Sequence, residues 1–502
     1  MAYQKAVYFL MFLPVALLVY QLAPRKIRPG VLLIFNYIFF YLISGKLIAF
    51  LFGATILVYC IGLFLGYLKS RCAVKCKVTD ISRDEKKLIK KRYKRYERIV
   101  LTMGIILLIG VLVSVKYIGL LTKYAPIGIS FYTLSAISYV VDVYWDKIKA
   151  CKNILNVALF LSFFPQLMEG PICFFSDTGD SLASGEPLKL DNISCGYTRI
   201  IWGLVKKLVI ADRLYPAVAV LYDNYTSYSG VMIIVAAVAY TIQLYMEFSG
   251  CMDIVIGSGR MFGVVMPENF NHPFVSKSAS EFWRRWHITL GRWLKTYIFY
   301  PISMSGLVKK WNKYAKVHTG KYVEKIVVSA IALLPVWVCN GLWHGPQLNY
   351  LFYGCYYFVI IMLEIILEPA VQKFTALCHI DDKSTAWQCV RVAKTWVIIF
   401  TGEMFFRAYS VGMGISMFVS IFHNFAIDSL WNGALLKLGL SLPEIIVILL
   451  SCIIVGIGEH FKEAKLNVPV KWVIYVGLIM LIVIFGAYGP GYQEVDLIYA
   501  GF

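Results

Sequence analysis

The sequence predicts an all-α protein with many transmembrane helices. Of its 502 residues, 59% are hydrophobic and only 16% are charged, and the mean hydropathy is +0.68. Soluble domains carry roughly 25% charged residues, so this composition indicates a polytopic membrane protein. Long apolar runs recur along the chain, at 6–23, 31–44, 46–68, 99–121, 125–143, 153–168, 230–248, 326–343, 348–367, 392–406, 444–458 and 470–488.

These runs lead us to expect about 11–13 transmembrane helices, since about 20 apolar residues cross a bilayer and shorter runs can be tilted or re-entrant. No soluble domain of useful size fits between them, so residues 1–502 are predicted to form a single membrane domain. The first run, 6–23, has no small-residue cleavage site and is followed by further apolar runs. We therefore interpret it as a span and not as a removed signal peptide.

The net charge of +20 lies mostly between the apolar runs. The two most basic segments are 69–98 and 306–325, and Lys and Arg accumulate on the cytoplasmic side of membrane proteins. We therefore predict that both segments are cytoplasmic, with 69–98 as a loop. Arg25, Lys26 and Arg28 follow the first run, which places its N-terminal end outside. The 69–98 segment can also contact anionic lipid headgroups, so membrane lipids are expected partners and nucleic acid is not.

The twelve cysteines are scattered, and four of them lie within the apolar runs, where a free Cys behaves as a small hydrophobic residue. Cys72 and Cys76 form a Cys-x-x-x-Cys pair without further Cys or His at zinc-site spacing. The sequence therefore predicts neither a metal site nor a disulfide framework.

His344 is the most informative residue of the chain. It lies at the end of the apolar run 326–343 and is followed by Gly345 and Pro346. Proline disfavours a continuing helix, and broken helix at membrane depth is tolerated only inside protein or beside a wet cavity. An ionisable residue at this depth indicates a functional site, with a satisfied core histidine as the alternative.

His287 is the second candidate. Ser278 and Glu281 form a Ser-x-x-Glu capping box, which predicts a helix start. If that helix continues, Trp283 and His287 share one face while arginines line another. The alternative is an interfacial helix with a tryptophan belt and extended arginines.

A series of short motifs follows one another along the chain: 163–166 (FFPQ) with 170–171 (GP), 248–250 (FSG) with Asp253, 260–263 (RMFG), 267–270 (PENF), 281–287 (EFWRRWH), 341–345 (GLWHG), and 406–408 (FRA) with Ser410. Together these segments resemble the bacterial membrane-bound O-acyltransferases, among them the alginate O-acetylation membrane proteins and the teichoic acid D-alanyl transferases. The resemblance covers nearly the whole chain in order and is most specific over 245–300.

The resemblance implies a ring of transmembrane helices around a central tunnel that narrows at a catalytic histidine, which corresponds to His344. It assigns a second functional histidine to His287. The candidate tunnel or substrate residues within the matching segments are Trp343, Trp283, Arg284, Asp253 and Asn269.

The resemblance also implies an activity and its setting. An acyl group would move from a cytoplasmic thioester, acetyl-CoA or an acyl carrier protein, to hydroxyls of an extracytoplasmic polysaccharide. We expect acetyl as the acyl group and D-alanyl as the alternative, with no bound cofactor. The expected location is the bacterial inner membrane, and the expected partner is an extracytoplasmic SGNH-type acyltransferase or esterase-like protein.

The residues are consistent with that chemistry. Acyl transfer to a hydroxyl needs a base, and a neutral imidazole such as His344 suits this role. The chain has no Gly-x-Ser-x-Gly motif, so direct transfer is simpler than a covalent serine route. His287 could orient the substrate, polarise the thioester carbonyl or shape the tunnel. A transporter or flippase of glycan precursors is disfavoured, because the chain has no internal repeat.

Three features depart from the pattern of the family or extend it. Glu169 occupies a position where relatives carry a small residue, and Cys251 and Met252 replace Tyr-Ser. Because of these differences, the resemblance does not fix the identity of the acyl group. The C-terminal aromatic tail, 489–502, resembles a short aromatic motif of the family. It implies an acyl-carrier role for the Tyr499 phenol, with an interfacial anchor as the alternative.

Overall fold

The computed structural model describes residues 2–77, 81–119, 121–460, 467–488, 492 and 495. The described residues form α-helices with short connections and no strand; Phe270 and Trp286 make an isolated antiparallel bridge. The helices are α1 (Leu13–Leu22), α2 (Arg28–Ser44), α3 (Ile48–Cys76), α4 (Arg83–Tyr117), α5 (Ile129–Tyr144), α6 (Ile154–Ser162), α7 (Phe164–Leu167), α8 (Phe175–Ala183), α9 (Leu190–Leu204), α10 (Asp212–Asp223), α11 (Gly230–Met261), α12 (Ala279–Arg285), α13 (Ile288–Leu294), α14 (Tyr300–Ser303), α15 (Gly306–His318), α16 (Gly320–His344), α17 (Leu348–Leu377), α18 (Thr385–Arg407), α19 (Val411–His423), α20 (Leu442–His460) and α21 (Val468–Phe485).

Among the described residues, three segments are wound more widely, as π-helix: Tyr8–Phe12, Val205–Ala211 and Lys295–Phe299. Single π-helical turns inside α-helices are rare and often lie at functional sites. Val205–Ala211 connects α9 to α10, and Lys295–Phe299 follows α13.

The all-α membrane class is confirmed. Within the described residues, six helical segments are long and apolar enough to cross a membrane, and four shorter ones are apolar: Tyr8–Leu22, Ile129–Tyr144, Val411–His423 and Trp472–Phe485. The estimate of 11–13 spans counted apolar runs, and some of these runs fold into shorter helices. The run 125–143 forms α5, whose 16 residues rise about 24 Å, less than the hydrocarbon core of about 30 Å. The predicted ring and tunnel remain predictions.

The basic segment 69–98 is not an extended loop. Helix α3 continues to Cys76, and α4 begins at Arg83. Ser82 caps α4, because its hydroxyl accepts from the Glu85 backbone N–H while the Glu85 carboxylate accepts from the Ser82 backbone N–H. The strong capping signal and the charged, non-proline sequence keep most of the segment helical. Its cytoplasmic location stays a prediction.

Residue contacts divide the chain into two units, and the organisation as a single domain stays a prediction. The first unit runs to Ile200 and includes Ile254–Pro267. Within it, Phe163 and Phe164 are fully buried. The Phe164 backbone N–H donates to the Asn36 side chain at 3.0 Å, and its carbonyl accepts from the Tyr3 hydroxyl at 2.6 Å. These bonds fix the short helix α7, and Glu169 just beyond it is also fully buried.

The second unit comprises Ile201–Asp253 and the residues from Glu268 onward. Helices α16 and α17 pack closely there because glycines face backbone. A Cβ on Gly341 would lie 2.5 Å from the Tyr350 carbonyl oxygen, and one on Gly354 would lie 2.3 Å from that of Trp337. Small residues allow such an approach between membrane helices. The contact fixes the C-terminal end of α16, where His344 lies.

Candidate active site

His344 is the last residue of α16, so the predicted break at Gly345 and Pro346 is confirmed. The side chain is only 3% exposed. Its ring contacts those of Trp343 and Phe406 edge-on, each at a centroid distance of 5.0 Å, and that of Tyr353 at 6.1 Å. The imidazole therefore lies in an aromatic enclosure at a helix end.

The buried side-chain amide of Asn349 supports the Phe406 side of the enclosure around His344. Asn349 at the start of α17 donates to the backbone carbonyls of Phe406 and Ala408, at 3.2 and 2.8 Å. This pair of bonds fixes the end of α18 against α17, so the Phe406 ring is held against the imidazole of His344.

Glu403 does not pair with Arg407, although the two residues are four apart on α18. The buried Glu403 carboxylate accepts from the Tyr353 hydroxyl at 2.8 Å. The Arg407 guanidinium lies over the rings of Tyr222 and Tyr409, each at 5.3 Å from the centroid. Helical spacing permitted the ion pair, but tertiary contacts give both groups other partners.

His287 does not continue the helix of Trp283, which corrects the predicted shared face. Helix α12 ends at Arg285, and α13 begins at Ile288. His287 between them has φ +47° and ψ +52°, a left-handed conformation that costs a non-glycine residue energy and clusters at functional sites. The sequence lacks Gly or Pro at this break, so periodicity alone could not predict it.

Of the capping box predicted at the start of α12, one of the two hydrogen bonds forms as expected. The Ser278 hydroxyl accepts from the Glu281 backbone N–H at 3.1 Å. The Glu281 carboxylate accepts from the backbone N–H of Lys277 and forms an ion pair with Arg285 at 2.9 Å. The helix start is thus confirmed, while the reciprocal bond goes one residue further back.

Asn269 holds the strained turn. Its side-chain oxygen accepts from the backbone N–H of Thr289 at 3.0 Å and from the Thr289 hydroxyl at 2.9 Å, and it lies 3.2 Å from Nδ1 of His287. Its backbone carbonyl accepts from Ile288 at 3.0 Å. A residue that the sequence offered as a tunnel candidate therefore contacts the second histidine directly.

Trp343 connects the two histidines, because its ring contacts His287 at a centroid distance of 5.7 Å and His344 at 5.0 Å. Trp283 lies against Tyr357 at 4.8 Å and Tyr353 at 6.1 Å. Four of the predicted site residues therefore belong, with Asn269, to one contiguous cluster in the second unit.

Burial lowers the pKa of His287 to about 3, because a charged imidazole would lose its hydration among apolar rings. The Phe248 ring packs edge-on against it at a centroid distance of 4.8 Å. His287 is therefore neutral throughout the physiological range.

A cavity of about 370 Å³ adjoins this cluster. Its lining includes His287, Trp283, Arg284, Trp337 and Asn340. Within the described part of the chain, the Trp283 indole N–H and the side-chain oxygen of buried Asn340 have no hydrogen-bond partner. Apart from its charged and hydroxyl side chains and His287, the mainly apolar lining therefore offers one further donor, on Trp283, and one further acceptor, on Asn340.

Sequence reasoning missed Asn340, although it lies four residues before His344 on α16. That spacing places two polar side chains on one face of an apolar helix. It was the one signal that could have identified Asn340.

A second cavity, of about 750 Å³, shares Ser280, Arg284 and Ile365 with the first. Five cationic side chains line it against three acidic ones, so its charge is net positive. The charged lining residues are Lys277, Arg284, Lys325, Arg391 and Lys394 with Glu364, Glu368 and Asp382. The apolar cavity beside His287 thus adjoins a larger basic one.

Asp253 lies outside the histidine cluster. Its carboxylate pairs with Lys206 at 2.9 Å in a buried ion network. Tyr499 falls outside the described residues. Across the described ranges, no group of three or more His, Cys, Asp or Glu side chains could hold a metal ion.

Comparison with known proteins defines the class. The family model of the membrane-bound O-acyltransferases matches residues 64–319. The chain is 31% identical to a probable alginate O-acetylase of Pseudomonas syringae over 432 residues, 84% of this chain and 75% of that protein. The chain therefore belongs to the membrane-bound O-acyltransferase family, and it is a polytopic membrane O-acyltransferase.

Two further relatives show the range of the family. The chain is 30% identical to a peptidoglycan O-acetyltransferase of Helicobacter pylori, over 62% of each protein. It is 26% identical to a teichoic acid D-alanyltransferase of Bacillus subtilis, over 49% of this chain and 61% of that protein.

Proposed function

We propose that this enzyme moves an acetyl group from a cytoplasmic thioester donor to hydroxyls of an extracytoplasmic polysaccharide, across a bacterial inner membrane. The observation that carries the proposal is the pair of adjoining cavities, one mainly apolar beside His287 and one basic, which share Arg284 in their linings. This order of surfaces fits a donor with an anionic head and an apolar, amide-bearing arm.

The donor chemistry fits both cavities. Acetyl-CoA and a phosphopantetheine carrier each join phosphate groups to an arm with two amides and a thioester. Arg284 and Arg391 in the basic cavity supply charge for phosphate, and positive charge raises the local donor concentration and the on-rate. The Trp283 N–H and the Asn340 carbonyl oxygen match an amide, which presents one acceptor and one donor.

The acceptor class is proposed from the relatives. An alginate O-acetylase and a peptidoglycan O-acetyltransferase bear names that specify acetyl transfer to glycans. D-Alanyl transfer is the second candidate, which the relative named for teichoic acid favours. We also propose that an extracytoplasmic SGNH-type protein receives the group before the glycan does.

His344 acts as the base in this proposal. The acceptor oxygen attacks the thioester carbonyl, the C–S bond breaks, and the hydroxyl proton passes through the imidazole to the departing thiolate. The aromatic enclosure excludes water, which would otherwise hydrolyse the thioester.

The test compares polysaccharide from cells with the wild-type gene, without it, and with His344→Ala. We expect mass spectrometry to find O-acetyl groups only with the wild-type gene, at matched protein levels. D-Alanyl esters in place of acetyl would establish the second candidate. Unchanged acylation without the gene would refute both.

The donor site has a separate test. Arg391→Ala should raise the KM for acetyl-CoA and leave kcat nearly unchanged, because the residue would bind phosphate far from the reacting bond. Lys309→Ala on α15 removes the same charge outside the cavity lining and is the matched control. Equal effects of both variants would exclude a specific donor site here.

A further inference from the structure

The side chain of Asn269 has a defined orientation. One of its terminal atoms lies 3.0 Å from the backbone nitrogen of Thr289, and a backbone N–H can only donate. The atom that faces Thr289 is therefore the amide oxygen. The amide nitrogen points the other way, 3.2 Å from the sulfur of Met252.

The same oxygen lies 3.2 Å from Nδ1 of His287. An amide oxygen accepts and cannot donate, so the hydrogen of this bond must belong to Nδ1. A neutral imidazole carries one ring proton, and burial keeps the pKa of His287 near 3. The lone pair of the ring then resides on Nε2, since the bond that one ring nitrogen makes sets the state of the other.

The surroundings leave the ring little freedom. Asn269 is 1% exposed and His287 is 3% exposed. The backbone bonds from Ile288 to Asn269 and from Asn271 to Arg285 clamp both sides of the turn. The positive φ of His287 is a strained conformation, and these two backbone bonds hold the turn in it. In this conformation the ring lies against the amide oxygen.

We infer that Asn269 is a positioning residue, which fixes His287 with a protonated Nδ1 and presents the Nε2 lone pair as a hydrogen-bond acceptor to the acyl acceptor, at a hydroxyl next to the one whose proton His344 takes. The inference rests on the proposed placement of His287 at the reacting groups. It excludes one role that the sequence left open, since an unprotonated Nε2 cannot polarise a thioester carbonyl. His287 would instead orient the acceptor, so that its neighbouring hydroxyl meets the thioester carbonyl.

Thr289 provides a matched control. Thr289→Val removes one hydroxyl bond to the Asn269 oxygen and leaves the backbone N–H and the imidazole in place. Asn269→Leu has nearly the same shape as the amide but removes the acceptor. Asn269→Asp keeps an acceptor at the same position and should rescue the function.

The first measurement is the protonation of the two ring nitrogens. Solid-state NMR on protein with 15N-labelled histidine, with His287→Gln for assignment, should find the proton of His287 on Nδ1 in the wild type, Thr289→Val and Asn269→Asp. Asn269→Leu should shift the proton toward Nε2. A wild-type spectrum with the proton on Nε2 would overturn the inference without touching the proposed donor or acceptor.

The second measurement is acetyl transfer. Asn269→Leu should lower kcat about tenfold, the worth of one hydrogen bond, with the KM for the donor unchanged, while Thr289→Val stays near wild type. Equal losses in both variants would reduce Asn269 to a structural residue. Full activity in Asn269→Leu and His287→Gln, despite the expected spectrum, would refute the functional half of the inference.

Discussion

The ammonium group of Lys206 lies 2.9 Å from a carboxylate oxygen of Asp253 and 2.7 Å from one of Glu459. Next to it along the π-helical segment, Lys207 pairs with Asp212 at 2.7 Å and Glu247 at 3.2 Å. Both lysines are almost fully buried. Each buried ammonium is shared by two carboxylates, so the four ion pairs tie distant segments of the second unit together.

Lys206→Met should destabilise the protein more than Asp253→Asn. The lysine variant leaves two buried carboxylates without their shared cation, a loss of about 3–5 kcal/mol. Asp253→Asn keeps Glu459 as the counter-ion and should cost about 1.5–3 kcal/mol, the worth of one charge-assisted hydrogen bond. Thermal unfolding in detergent shows which of the two variants loses more stability. Lys316→Met, which replaces an exposed lysine, is the control. If Asp253→Asn lost acyl transfer but kept the Tm of the wild type, Asp253 would have a role in the functional site.

Asn340→Leu should weaken donor use. If the Asn340 oxygen accepts from an amide of the donor arm, its removal costs about 1 kcal/mol and raises the KM about five- to tenfold. The free protein should gain stability or stay unchanged, because the oxygen has no partner among the described residues. Steady-state kinetics with acetyl-CoA and a melting curve together test this. A lower Tm with an unchanged KM would show that Asn340 supports the helix alone.

The stability of the protein should fall as the pH drops from about 6.5 toward 3. The unfolded chain binds a proton at His287 near its usual pKa, whereas the folded pKa is about 3, so acid favours unfolding. At pH 5 the difference amounts to about 2 kcal/mol. His287→Gln should lessen the fall in Tm between pH 7 and 5. The same fall in both proteins would assign the acid sensitivity to other groups.

The sequence predicted the helical class and the break after His344, because both follow from local signals: apolar length and a Gly-Pro pair. The break at His287 and the role of Asn269 depend on hydrogen bonds between segments 18 residues apart in sequence, which no periodicity records. Asp253 stays a candidate from its motif. Its carboxylate pairs with Lys206, 47 residues earlier in the chain, and Lys206 also pairs with Glu459; sequence spacing predicts neither contact.

Cysteine labelling should place both basic segments inside the cell. Lys90→Cys on α4 and Val317→Cys on α15 are exposed positions that leave the Ser82 cap intact. Positive charge accumulates on the cytoplasmic side, so an impermeant maleimide should label neither in intact cells and both after permeabilisation. The parent protein has exposed cysteines of its own, so its labelling is subtracted from that of each variant. Labelling of either variant in intact cells would invert the topology and remove the basic cavity from the donor side.

Tyr499→Phe should separate the carrier and anchor roles of the C-terminal tail. The substitution keeps the ring and removes the only atom that could carry an acyl ester. A phenol has a pKa near 10, so its ester is a better leaving group than an alkyl ester and suits a relay between a thioester and a sugar hydroxyl. We expect the variant to keep its KM for donor hydrolysis and to lose transfer to the glycan, with Tyr492→Phe as the matched control. Wild-type protein is incubated with donor alone, then quenched and digested. Mass spectrometry should find the added mass of the acyl group on the peptide that contains Tyr499. Full glycan acylation in Tyr499→Phe would leave the tail as an interfacial anchor and favour direct transfer at His344.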